Sequence, residues 1–187
     1  MVMELFILIL NKKNNFVTTP ITHFTLYSIF AKKNLMPYPN FFDLLVSEEL
    51  VSRISKINKD TIPLWGKMNA GQMMAHCCVP FEYVYENKYS KPNFVMRWVL
   101  KTFVKPKVVN ESVYKQGIPT GPDFIITEHK DFEKERGRLV QFVQQTQKLG
   151  GDYFDGKESH SFGVLNRSEW NNMFYKHLDH HLRQFGV

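Results

Sequence analysis

Three histidines stand apart for what their spacing can do. The segment Tyr175-Lys176-His177-Leu178-Asp179-His180-His181-Leu182-Arg183-Gln184 reads as helix. At 100° per residue, His177 and His181 lie within about 40° of each other and one turn apart, so two imidazoles can converge on one ion. His180 falls on the flank of that pair and Asp179 points away from it. Upstream, His76 shares a helical face with Gln72, Met73, Pro80 and Tyr83 and should also look inward. Three neutral imidazoles hold a borderline divalent ion and leave coordination positions open for water or substrate, the pattern of a catalytic rather than a closed structural site.

Each signal has a plainer reading. A lone histidine on an apolar helix face is ordinarily a hydrogen-bonded core residue, and an isolated H-x-x-x-H arises by accident in polar helices. Met73 and Met74 read as core. Cys77 and Cys78 are adjacent, with poor geometry for pairing, so they imply packing and no disulfide framework, which fits a reducing cytoplasm. H-E-x-x-H is missing, and no carboxylate lies on the histidine faces to serve as general base.

The elements that must position these residues are helical. Leu50, Val51, Ile54 and Ile57 recur three or four apart from Ser47 onward, predicting a first helix. Asp60–Met68, with Pro63 and Gly66, reads as loop. Asn69 with Gln72 three residues on has capping-box spacing and opens a second helix to about Asn87, bent at Pro80, where an amide donor is lost. Residues 92–105 are apolar enough for a shorter packed helix, and Lys105–Pro122 reads as a connecting excursion. Glu128–Leu149 forms a third principal helix with Phe132, Leu139, Phe142 and Val143 on one side, stopped by Gly150-Gly151. After a loop at Asp152–Leu165, Asn166 and Glu169 repeat the capping spacing before a final helix, Arg167 to about Phe185, with Phe174, Leu178, Leu182 and Phe185 as its apolar stripe. Four principal helices plus accessories, with hardly any alternating strand pattern, predict an all-α bundle.

A chain of 187 residues suits one well-cored domain, and an apolar share of 43% supplies that core. The net charge of +6 raises the question of nucleic acid or a membrane surface. Half of that excess comes from Lys12, Lys13, Lys32 and Lys33 against Glu4, all within residues 1–35. With no dense basic stripe interleaved with aromatics, neither partner is expected. Met1–Leu10 is apolar but has no basic residues before it and no small-residue cleavage site after it, so it reads as neither signal peptide nor span. Residues 1–35 differ in composition from the rest and are expected to lie outside the domain, with Met36, ahead of Pro37 and Pro39, as an alternative start.

Three separated stretches carry a family resemblance. They are Trp65-Gly66-Lys67-Met68-Asn69-Ala70-Gly71-Gln72-Met73-Met74-Ala75-His76, then Ser161-Phe162-Gly163-Val164-Leu165-Asn166-Arg167-Ser168-Glu169-Trp170, then His177-x-x-His180-His181-x-x-Gln184-Phe185. Occurring in this order over roughly Phe41–Gly186, they resemble the DinB-like superfamily of YfiT-type metalloenzymes, within a branch of unknown function. The resemblance implies a DinB/YfiT-like four-helix bundle. It also implies a metal, zinc or nickel, held by the second-helix histidine and the outer two of the H-x-x-H-H run, here His76, His177 and His181. Relatives that use a low-molecular-weight thiol, such as bacillithiol or mycothiol transferases and maleylpyruvate isomerase, make such a thiol a candidate cofactor. The superfamily's name is no statement of DNA binding.

The expectation is therefore a metal-dependent transferase or hydrolase acting on a small-molecule substrate, in which the ion acidifies a thiol or water. Gln72 and Gln184 would orient ligands or bound water, and Tyr83 would donate a proton. His160, in the preceding loop, would line the mouth. The alternative is a non-catalytic bundle that binds a small ligand or partner, with a structural metal or none. A homodimer through exposed helix faces is compatible with either.

Overall fold

Helical periodicity becomes helix wherever capping residues mark it. The computed structural model describes residues 6–10 and 16–20 along their backbone, and 38–187 apart from Asn87. Its helices are α1 (Leu44–Lys56), α2 (Ala70–Tyr85), α3 (Phe94–Val99), α4 (Lys105–Val109), α5 (Phe132–Phe154) and α6 (Arg167–Gln184). A π-helical stretch, Leu100–Val104, joins α3 to α4, and a 3-10 turn occupies Pro122–Phe124. The architecture is all-α: α5 packs against α1, α2 and α6, and α6 packs in turn against α1 and α2.

Both expected capping boxes are present. Asn69 Oδ1 accepts the Gln72 amide at 2.9 Å while Gln72 Oε1 accepts the Asn69 amide at 3.0 Å. Asn166 and Glu169 do the same at 2.9 and 3.0 Å. Each box satisfies donors that a helix start would otherwise leave unpaired, and so fixes where α2 and α6 begin. Between the long helices lies an aromatic core. Phe81 stacks on Phe174 at 4.9 Å and on Phe142 at 5.7 Å, and Trp170 stacks on Phe174 at 5.4 Å. Cys77 and Cys78 are buried free thiols within it.

Three differences from the sequence reading have physical causes. First, the third principal helix starts at Phe132 rather than Glu128, because Asp131 caps it by accepting the Lys134 amide at 2.9 Å. Second, helical geometry breaks at Gly150, whose φ of 74° only glycine adopts freely, but a further turn runs on to Phe154 and carries that ring into the core. Third, the short helix expected to pack does not. None of the residues of α3, the π stretch or α4 is buried, although the last of these was expected to be loop.

The chain divides into two units between Pro37 and Tyr38. Most of the readings made of residues 1–35, and the start proposed at Met36, fall outside the described residues. Within the first unit β1 (Phe6–Leu10) and β2 (Phe16–Pro20) pair antiparallel, with Phe6 opposite Pro20. In the second, β3 (Glu158–Ser159) and β4 (Gly163–Val164) form a small hairpin ahead of α6. Among the described residues no helix is long and apolar enough to cross a membrane.

Candidate metal centre

His76 projects from the first half of α2, and His177 and His181 from the second half of α6. One ligand nitrogen from each lies within 4.8 Å of the other two. His76 and His181 are buried and His177 is partly so. Burial holds all three imidazoles below their ordinary basicity: His76 is lowered, His177 well lowered, and His181 brought down to about 3. Their mutual charge repulsion adds to the effect. Neutral rings carry the lone pairs that a cation needs.

Backbone carbonyls fix which nitrogen keeps its proton. His76 Nδ1 meets Phe124 O at 2.8 Å, and a carbonyl can only accept, so Nδ1 bears the hydrogen and Nε2 the lone pair. A longer chain of the same logic fixes His181. The amide nitrogen of Gln184 donates to Trp65 O at 2.7 Å, which turns Oε1 toward His181 Nδ1, also at 2.7 Å. His181 must donate there, leaving its Nε2 free. His177 Nε2 stands 3.1 Å from His76 Nε2. Two nitrogens each about 2.0–2.1 Å from one ion, subtending roughly 90–109°, lie about 2.8–3.4 Å apart, so the observed His76–His177 separation fits a shared ion.

The Trp65-Gly66 turn is built into this arrangement. Leu64 N donates to Gln184 O at 2.8 Å, so the loop is tied to both the backbone and the side chain of Gln184. Gly66 has φ of 86°, and a Cβ there would come within 2.4 Å of Gln184 Nε2. Glycine is required by conformation and by space at once. Phe124 closes another side: its ring lies 5.4 Å from that of His76 and 5.7 Å from that of His177.

The other expected residues are placed differently. Gln72 does not reach the imidazoles: its oxygen is used in the α2 capping box, and its nitrogen faces Thr127 O at 3.4 Å. Tyr83 is separated from the histidines by the Phe124 ring, 5.8 Å away. Its hydroxyl donates to Asp123 Oδ2 at 2.6 Å, and burial together with that carboxylate pushes it well above the usual phenol range. His160 stacks on the far side of Tyr83 at 4.4 Å, beyond the three clustered imidazoles. Asp179, expected to point away, is buried between Arg53 and Arg183, each at 2.9 Å. The thiols of Cys77 and Cys78 are both raised by burial, as packing residues would be.

Some contributors left no recognisable trace in the sequence. The Phe124 and Trp65 carbonyls act through backbone atoms, which residue type does not advertise. Lys176, one residue before His177, is buried and lowered to about 8 by that burial, while its ammonium meets Lys107 O, Asn110 O and Asn110 Oδ1, each at 2.9 Å. A cavity of about 180 Å³ opens nearby, walled by Tyr38, Trp65, Tyr114, His180 and Arg183.

Residues 42–186 match the family described as Protein of unknown function (DUF1569), and the chain belongs to that family. No curated protein and no solved structure matches it.

Proposed function

We propose that this chain is a DinB/YfiT-like metalloenzyme that holds one divalent ion, zinc or nickel, on His76, His177 and His181. The observation that carries the reading is the convergence of one nitrogen from each histidine within 4.8 Å. Separated histidines around a dry apolar cavity would have favoured the non-catalytic ligand-binding alternative. When bound, such an ion would supply Lewis acidity, bringing a thiol or a water toward its anion near neutral pH. The reaction class is transfer or hydrolysis on a small molecule, with a low-molecular-weight thiol as candidate cofactor.

The protein's own residues orient and insulate. Phe124 O and Gln184 Oε1 hold the Nδ1 protons of His76 and His181, so the ring faces turned to one another present lone pairs. The Phe124 ring keeps water from one side of the cluster, and the cavity beside His180 provides space for a small substrate. Gln184 is thus a positioning residue. Gln72 acts through the start of α2, and Tyr83 anchors the Asp123–Phe124 turn. Buried unpaired thiols accord with a reducing, cytoplasmic setting.

The test is elemental analysis of untagged protein beside the His76→Ala and His177→Ala variants. About one equivalent of zinc or nickel in the parent, absent from both folded variants, is the expected outcome. A parent that stays metal-free after reconstitution would sink the reading and return the ligand-binding alternative.

A further inference from the structure

The segment from α3 to α4 has no fully buried residue, and only Val109 at its end packs partly against the core, yet its exposed side chains are among the most apolar on the described surface. Phe94 is 86% exposed, Trp98 57% and Phe103 56%, with Val95 and Met96 exposed beside them. The surrounding sequence is one-sided in charge: residues 87–110 contain Lys88, Lys91, Arg97, Lys101, Lys105 and Lys107 and no acidic residue. Lys88, Arg97 and Lys105 pair with Glu82, Glu158 and Glu169 of the body. Lys91, Lys101 and Lys107 are exposed and have no ion-pair partner among the described residues. This arm is rooted. Asn172 Nδ2 donates to Val109 O and Lys176 Nζ to Lys107 O, both at 2.9 Å, so its C-terminal end is fixed to α6.

We propose that the arm seats the protein on an anionic lipid surface, with Phe94, Trp98 and Phe103 entering the headgroup boundary and Lys91, Lys101 and Lys107 meeting lipid phosphates. Exposed aromatics flanked by long basic side chains suit that boundary, where rings lie in apolar chain ends while ammonium groups reach outward. A second copy of the chain is a poorer occupant, because a two-fold pairing of arms would bring two acid-free cationic segments together. Single-stranded nucleic acid is also disfavoured. Trp98 and Phe103 meet edge to face at 6.0 Å and 85° instead of offering parallel stacking faces, and the apolar side chains of Val95 and Met96 have no donor to offer a base. Surface seating needs no membrane span, and it replaces the sequence expectation that no membrane is involved. It does not depend on the proposed metal.

The test is co-sedimentation of the full chain with vesicles of phosphatidylcholine alone and of equimolar phosphatidylcholine and phosphatidylglycerol. The expected result is binding to the anionic vesicles, weakened about tenfold or more on neutral ones and by added salt. The Phe94→Ser/Trp98→Ser and Lys91→Glu/Lys101→Glu/Lys107→Glu variants should lose it while keeping the parent's circular dichroism. Equal partition into both vesicles, no binding, or a Phe94→Ser/Trp98→Ser variant that binds like the parent would overturn the proposal. So would a monomer–dimer equilibrium, or binding of a single-stranded oligonucleotide, that disappears in these variants while vesicle binding is absent.

Discussion

Two regions meet at α6 and obey opposite rules. On its inner side Phe174, Leu178 and Leu182 are buried against α2 and α5, and beside them His181 of α6 and His76 of α2 have their Nδ1 protons held by fixed acceptors. On another side the arm is attached through Val109, Lys107 and Asn110 and leaves its largest apolar groups in solvent. The contrast teaches that apolar residues in this chain serve two ends. In the core they set stability; in the arm they are surface, and stability should be blind to them.

The sharpest way to break that comparison is to truncate one ring on each side. Phe174 stacks on Phe81 and Trp170 and is 1% exposed, so Phe174→Ala should cost about 3–5 kcal/mol in urea unfolding through lost burial and a cavity. A cost below about 1 kcal/mol would mean that the core has slack and that the two regions differ less than their exposure suggests.

Next in size is the turn behind the three histidines. Gly66→Ala would force a Cβ into Gln184 Nε2, and Gln184→Ala would remove the acceptor that holds His181. Each should weaken zinc binding by roughly 10- to 100-fold, as loss of an orienting partner does, while His76→Ala abolishes it. Competition titration against a chelator reads this directly. Gln72→Ala serves as the contrast, because its side chain works in a helix cap: it should lower stability by about 1 kcal/mol and leave zinc affinity unchanged.

The differing fates of these two glutamines show how far the sequence could be read. Helical projection put both on histidine faces, but projection fixes only direction. Gln72 shares a face with His76 yet sits at the helix start, where unpaired amides claim its side chain first. Gln184 reaches His181 because a distant loop carbonyl turns its amide, a tertiary fact with no local signal. The four long helices and the inward faces of His76, His177 and His181 were legible because periodicity and capping residues are local, while the grouping of those three histidines came from the family resemblance. The arm was not: an apolar run reads as packed whether or not a neighbour exists to receive it. The engagement of the Tyr83 hydroxyl by Asp123 was illegible for a related reason, since Asp123 lies on a segment whose path nothing in α2 predicts.

A smaller effect follows from the neutral imidazoles. In metal-free protein, His181 is held at about 3 and His177 well below its ordinary 6.5. As pH falls below about 6.5 the unfolded chain takes up these protons and the folded chain does not. Stability is therefore intact above 6.5 and declines toward pH 3, by on the order of 1 kcal/mol per pH unit for each such histidine. Urea midpoints in chelator at successive pH values check it. A flat profile between pH 6.5 and 5 would mean that the cluster already carries its protons when folded.

The smallest expected change is in the arm, and there a null result carries the weight. Phe94 makes no capping bond and lies 86% in solvent, so Phe94→Ser should shift unfolding by less than about 0.5 kcal/mol, as surface substitutions do. Zinc affinity should also hold, because the arm meets α6 through Val109, Lys107 and Asn110, beyond the substituted ring. If instead the variant loses stability to the degree of Phe174→Ala, Phe94 is covered in the folded protein and the arm belongs with the core. If stability and zinc are untouched while association with anionic vesicles is lost, the two regions are separable by one ring each.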